Sequence, residues 1–323
     1  MHPPEDLLDF LKKQDRYLIA MHRNPDGDAI GSASALALIL RRLGKQAAVF
    51  CQDRVPEHYR FLPESTHVLS PEAFAENAPC MHHYEHLILV DCNDLHRVTT
   101  HPGLFEHNSW QKTLVIDHHA TPSSFGDIRW IEVNAAATGL MVLALADALE
   151  VPLTEAIATN LYAAMVVDTG NFRFENTSAD VLYAAARLAS AGANPTYVCR
   201  AIYESWSSGR LALFGKVLST FEMIGSVALA FVNLQMFAET GTGPDDTETF
   251  VEFLKVNRDA EVALLIRELA PDHFKLSLRA KGTIDVAAVA AHFGGGGHKN
   301  AAGCEIRGSL AAVKEHILKQ LLR

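Results

Sequence analysis

The chain has 323 residues, 49% of them hydrophobic and 20% charged, which at roughly 150 residues per domain suggests about two globular domains with cores large enough to fold without staples. Its 28 Lys and Arg against 38 Asp and Glu leave a net charge of −10. That argues against a protein that coats long nucleic acid, because such domains carry a basic face, while a small anionic substrate neutralised locally stays open. The five cysteines, Cys51, Cys80, Cys92, Cys199 and Cys304, include no CxxC pair, so neither a disulfide framework nor a zinc ribbon is indicated.

Met1 to Lys13 is short, amphipathic and acidic, without a basic n-region or a small-residue cleavage site, so no signal peptide is expected. No apolar stretch reaches about 18 residues without charge, so no transmembrane helix is expected and a cytoplasmic location is the default. Short apolar runs then alternate with helical patterns. Strands are predicted at Tyr17–Met21, Ala47–Cys51, Leu87–Asp91 and Leu114–Asp117. Helices are predicted at Ile30–Leu43, which ends at Gly44, and at Ala137–Glu150, Thr154–Val167 and Ser178–Ser190. This alternation predicts a parallel sheet with crossover helices.

The pattern breaks at Ala191-Gly192-Ala193-Asn194-Pro195. A helical stretch from Tyr197 to Ile224 is read as leading into a second unit. That unit has strands at Ser226–Asn233, Ala260–Glu268, Phe274–Ala280 and near Cys304, and helices at Asp246–Val256, Asp285–His292 and Leu310–Leu322. The fold class is α/β. Residues 1–192 form an N-terminal domain with a mostly parallel sheet flanked by helices. Residues 193–208 are a linker, and 209–323 form a smaller C-terminal α/β domain, with a cleft between the two.

The densest chemical signal follows the first strand: His22-Arg23-Asn24-Pro25-Asp26-Gly27-Asp28. Ligands of open α/β sheets sit at the carboxyl ends of strands, and a turn through Pro25 and Gly27 lets His22, Asp26 and Asp28 converge. Further apolar runs end in Asp91, in Asp117-His118-His119 and in Asp168. A lone acid there caps a helix or closes a turn; several acids delivered to one edge are harder to explain so. Clustered carboxylates stay ionised together only if cations offset them. Asp26, Asp28, Asp91 and Asp168 match the charge of two divalent ions, and a mixed imidazole–carboxylate set without thiolate suits Mn²⁺ better than Ca²⁺ or structural zinc. In Phe293-Gly294-Gly295-Gly296-Gly297-His298-Lys299, four glycines beside a His and a Lys can form a backbone nest for an anion. Of the other histidines, His58, His67, His82, His83, His86, His96, His101 and His107 are read as surface or loop residues.

In order and spacing, these segments resemble the DHH phosphoesterase superfamily, and Phe293 to Gly303 resembles the signature of its DHH-associated C-terminal domain. Length and domain order are similar to the oligoribonuclease and PAP phosphatase (nano-RNase, NrnA-type) branch. The resemblance implies an N-terminal DHH domain and a DHH-associated substrate-binding domain. It implies that His22 and Asp26 hold one Mn²⁺, that Asp28, His118 and Asp168 hold a second, and that Asp91 bridges them, with other divalent metals admissible. Asp117 would orient its neighbours, and His119 would face the scissile phosphate as the catalytic residue. Arg279, Gly295, Gly296, Gly297 and His298 would grip the nucleotide. The implied activity degrades RNA of about 2–5 nucleotides to mononucleotides and dephosphorylates 3′-phosphoadenosine 5′-phosphate to AMP, with no long nucleic acid or membrane partner and with a homodimer admissible. The alternatives are a linear or cyclic dinucleotide phosphodiesterase, a family II-like inorganic pyrophosphatase, and a non-catalytic nucleotide-binding regulator. The Gly-His motif counts against the second, and the full set of candidate ligands against the third.

Overall fold

The computed structural model describes residues 1–71, 83–100, 105, 110–120, 123–282 and 284–322; Cys80, His82, His101 and His107 lie outside them. The chain divides into two units, Met1–Ser205 and Trp206–Arg323.

In the first unit, strands β1 (Tyr17–Ala20), β2 (Ala47–Phe50), β3 (His86–Val90), β4 (Lys112–Asp117) and β5 (Ile128–Ile131) form one parallel sheet in the order β2-β1-β3-β4-β5. The inner strands read as continuous apolar runs because both faces are covered. Leu18, Ala20, Leu87 and Leu89 face one core, while Tyr17, Ile19, Ile88 and Val90 face the other. Edge strand β5 was not foreseen: in Ile128-Arg129-Trp130-Ile131 only Trp130 is fully buried, which leaves little apolar pattern. His86 corrects the sequence reading. It is 1% exposed, with its ring edge-on to Phe10 at 4.7 Å, and neither ring nitrogen has a hydrogen-bond partner among the described residues. Burial, reinforced by Arg16, lowers its pKa and keeps it neutral.

Among the described residues, this unit also carries helices α1 (Glu5–Lys13), α2 (Gly27–Arg42), α3 (Leu95–Val98), α4 (Thr138–Ala148), α5 (Glu155–Asp168), α6 (Ala179–Ser190) and α7 (Pro195–Tyr203). Glycine brings α2, α4 and α5 together. A Cβ on Gly31 would strike the Asn160 carbonyl, and one on Gly139 would stand 2.5 Å from the Ala164 Cβ. The first unit also takes in most of the segment read as a linker. Val198 and Ile202 of α7 face its core, and the Tyr203 hydroxyl donates to the Val166 carbonyl at 3.3 Å. The chain leaves β1 for β2 and then returns to the other side of β1 as β3. The segments after β1 and β3 therefore meet where the strand order reverses, the place at which open α/β sheets bind ligands.

The second unit holds a mixed sheet in the order β10-β11-β9-β8-β7-β6, with strands β6 (Glu222–Ile224), β7 (Val227–Val232), β8 (Val262–Ala270), β9 (His273–Ala280), β10 (Gly296–His298) and β11 (Ala301–Arg307). Helices α8 (Ser208–Leu218), α9 (Leu234–Thr240) and α10 (Phe250–Lys255) cover one face, while α11 (Val286–His292) and α12 (Leu310–Leu321) cover the other. The expected helix from Tyr197 to Ile224 is instead α7, α8 and β6. Its break is chemical: the Ser207 hydroxyl accepts from the Arg210 amide at 3.0 Å and starts a new helix. The expected helix over 246–256 begins later, at Phe250, after Thr249 at φ 68°. The glycine run is also more ordered than a loop. Gly294 ends α11 at φ 75°, and Gly296 to His298 pair with Ala301 to Gly303 as a hairpin. Gly295 and Gly297 lie so close to the β11 backbone that any Cβ would overlap it.

Candidate metal centre

The segment after β1 turns through Asn24, at φ 50°, into α2. Asp26 is the N-cap of that helix: its Oδ1 accepts from the Asp28 and Ala29 amides, each at 3.0 Å. The His22 Nδ1 lies 2.8 Å from the Arg23 carbonyl oxygen. A carbonyl only accepts, so Nδ1 is the donor. Nε2 then stands 3.4 Å from Asp91 Oδ2 and 4.0 Å from Asp26 Oδ1. Asp91 follows β3 in the left-handed region, at φ 60°.

β4 ends in Asp117, followed by His118 and His119. The His118 Nδ1 is 3.0 Å from the Ala135 carbonyl oxygen. Its Nε2 is 3.2 Å from Asp168 Oδ2, 3.6 Å from Asp91 Oδ1 and 3.8 Å from Asp28 Oδ2. The His119 Nδ1 is held by Asp117 Oδ1 at 2.7 Å and lies 3.7 Å from Asp91 Oδ1. Asp168 arrives on the last residue of a helix, α5, and not on a strand.

Sequence reasoning missed the residues that hold these acids. Helix α4 has no side-chain cap from its own N-cap, Ala137. Its first two amides donate instead to Asp28: Thr138 N to Oδ2 at 2.7 Å and Gly139 N to Oδ1 at 2.9 Å. The Ser32 hydroxyl adds a bond to Oδ1 at 2.8 Å. The Thr138 hydroxyl donates to Asp91 Oδ1 at 2.9 Å. The available signals were Ser32 one turn after Asp28 and a helix whose sequence offers no Ser, Asp or Asn at its start.

Three donor sets result: His22, Asp26 and Asp91; Asp28, His118 and Asp168; and Asp91, His118 and His119, with the ligand atoms of each set within 4.8 Å of one another. Burial alone would drive protons off the imidazoles, but the carboxylates outweigh it. Against burial, the bond to Asp91 and the charges of Asp26 and Asp91 hold His22 at about 9. Against burial, the bond to Asp168 and the charges of Asp28 and Asp168 hold His118 at about 11. Burial, aided by the Asp91 and Asp168 charges, raises Asp28. Burial also raises Asp168 to about 6, despite its bond to His118. Asp91 goes the other way: burial would raise it, but three imidazoles around it hold it below the ordinary carboxylate range.

The donor chemistry fits divalent cations. Oxygen and nitrogen atoms converge, and backbone carbonyls fix the outward nitrogens of His22 and His118, the usual orienting device behind a metal-binding imidazole. Cys51 is close but unsuited. Burial pushes its thiol up to about 12, and Sγ bonds the His22 carbonyl.

In the second unit, Arg279 of β9 pairs with Ala301 of β11, which pairs with His298 of β10, so Arg279 and His298 share one face of the sheet. Glu252 of α10, which sequence reasoning did not single out, accepts from Arg279 Nε at 2.5 Å and fixes the guanidinium.

Residues 16–165 match the DHH family, N-terminal domain, and residues 225–323 match the DHHA1 domain. The chain is 32% identical over 308 residues to the bifunctional oligoribonuclease and PAP phosphatase NrnA of Thermus thermophilus, covering 93% of this chain and 87% of that protein. It is 26% identical to the protein of the same name from Mycoplasma genitalium, covering 93% and 92%. The crystal structure of an exopolyphosphatase-related protein from Bacteroides fragilis superposes with a TM-score of 0.91 at 25% identity, covering 98% of this chain and 94% of that one. A parallel sheet gathering acids and imidazoles at its switch point, followed by a separate mixed-sheet unit, thus has a family: the chain belongs to the DHH–DHHA1 phosphoesterases, in the branch of the NrnA proteins.

Proposed function

We propose that the chain is a divalent-metal-dependent phosphoesterase that degrades oligoribonucleotides of a few residues to mononucleotides and dephosphorylates 3′-phosphoadenosine 5′-phosphate to AMP. The observation that carries this reading is the buried cluster of overlapping donor sets, on a chain 32% identical to a relative named for both activities. In this reading His22 and Asp26 would hold one Mn²⁺, Asp28, His118 and Asp168 would hold the other, and Asp91 would serve both. Bound ions of this kind acidify water and offset charge on phosphoryl oxygens.

The protein's own groups supply orientation. Asp117 fixes the His119 ring through Nδ1, which leaves Nε2 to face a phosphoryl or leaving oxygen. Arg279 and His298 bind the nucleotide from one sheet face, with Glu252 setting the angle of the guanidinium. Both substrate types offer a nucleotide with a phosphate on its 3′ side, so one pocket serves both.

The test is a product time course with Mn²⁺ on labelled RNAs of graded length, with 3′-phosphoadenosine 5′-phosphate run beside them. Mononucleotides and AMP are expected, and EDTA should stop both reactions. Absence of turnover on both substrates by Mn²⁺-loaded protein overturns the reading.

A further inference from the structure

Asp91 sits at the centre of the cluster, and a carboxylate serving two donor sets must keep one oxygen toward each. Its Oδ2 faces His22 Nε2 at 3.4 Å, and its Oδ1 faces His118 Nε2 at 3.6 Å. With metal bound neither ring would fix the carboxylate torsion, because the Nδ1 atoms of both donate to backbone carbonyls and their Nε2 atoms would face the ions. The Thr138 hydroxyl is closer, at 2.9 Å from Oδ1, and it donates. The Thr138 amide holds Asp28 Oδ2 at 2.7 Å. One residue thus grips two carboxylates that repel each other and are at most 2% exposed. Thr138 is free to do so because it opens α4, where the amide has no partner within the helix. Gly139 lets α4 approach closely enough, since a side chain there would overlap Ala164.

We infer that Thr138 is a positioning residue for the metal centre: its hydroxyl sets the rotation of the Asp91 carboxylate that the two donor sets share. This rests on the metal reading given above. The hydroxyl does not touch substrate and acts through Asp91. Substituting it leaves the amide, and therefore the hold on Asp28, in place.

The experiment titrates Mn²⁺ into metal-free full-length protein by calorimetry and follows the bound ion by electron paramagnetic resonance. Four proteins are compared: wild type, Thr138→Val, Thr138→Ala and Thr138→Ser. Loss of an outer hydrogen bond to a metal-binding group typically costs about tenfold or more in affinity. Thr138→Val and Thr138→Ala should therefore bind Mn²⁺ about tenfold more weakly, with an altered resonance spectrum. Thr138→Ser, which keeps the hydroxyl, should stay within about threefold of wild type. The metal-free melting temperature serves as the control for folding, and Thr138→Ala stands in if the Val variant does not fold. If the hydroxyl-free variants bind Mn²⁺ as wild type does, the positioning role is overturned while the metal reading stands. If the Ser variant falls as far as the Val variant, packing and not the hydroxyl is responsible, and the inference fails. If wild type binds no Mn²⁺, both readings fall together.

Discussion

Asp91 combines two demands that few residues meet. Its backbone is in the left-handed region, at φ 60°, where Asp and Asn are tolerated far better than branched residues, and its side chain must be an anion ringed by three imidazoles. Asp91→Asn keeps the backbone preference and removes the charge. It should cut turnover by well over tenfold, each decade being about 1.4 kcal/mol of barrier, while the protein still folds. Activity within twofold of wild type would remove Asp91 from the centre.

In the proposed function, protons compete with metal at the same atoms. In the metal-free protein His22 is held at about 9 and His118 at about 11, against 6.5 for an unperturbed imidazole. Because these values are raised on folding, their contribution to stability is complete below about pH 6.5 and is lost as pH climbs through 9 and beyond. A protonated imidazole cannot take a metal, so Mn²⁺ affinity should rise between pH 6.5 and 9, with proton uptake by the buffer on binding. Calorimetry in buffers of different ionisation enthalpy measures that proton. An affinity independent of pH across this window would contradict the imidazole ligands.

At the scale of elements, the centre depends on how closely three helices approach. Gly31 of α2 packs on the α5 backbone at Asn160, and these two helices carry Asp28 and Asp168. Gly31→Ala should force them apart at a cost of about 1–3 kcal/mol, seen as a lower midpoint in urea unfolding. Metal affinity should fall with it, whereas an unchanged midpoint would show that the crossing can relax.

What the sequence revealed follows from the same physics. The inner strands, the Ala-rich helices and the acids at their ends were legible because each is a local pattern of period, cap or run end. Thr138 was not, since its hydrogen bonds join segments 47 and 110 residues apart. The break at Ser207 was overlooked because apolar residues continue on both sides of it, and a cap is a single side chain. His86 was misjudged because burial beside Phe10 and Tyr17 is a tertiary fact, which residue type alone suggests poorly.

For the whole molecule, the two units should carry separable tasks. If Arg279 holds the nucleotide and the first unit does the chemistry, Arg279→Ala should reduce kcat/KM on a dinucleotide at least about tenfold. That matches the roughly 1.5–3 kcal/mol of a charge-assisted hydrogen bond. Bis-p-nitrophenyl phosphate, too small to need the second unit, should change by less than about threefold, or under roughly 0.7 kcal/mol. His119→Ala should slow both substrates. Equal losses on both substrates for Arg279→Ala would undo this division. With a net charge of −10, the molecule should also favour RNAs of two to five nucleotides over 20-mers. Binding of long strands should show only a shallow salt dependence, because few phosphates are neutralised. Equal kcat/KM for a dinucleotide and a 20-mer would refute that.

Helix α4 borrows its cap from Asp28, and this has an evolutionary consequence. Clustered carboxylates repel one another, so a metal-binding acid ordinarily costs stability to the fold that carries it. Here, deleting Asp28 would strip the Thr138 and Gly139 amides of their acceptor and fray a buried helix. Selection for folding alone would therefore retain this acid long after selection for turnover had lapsed. A descendant that had abandoned the chemistry would betray itself at His119 or Asp168 before it did so at Asp28.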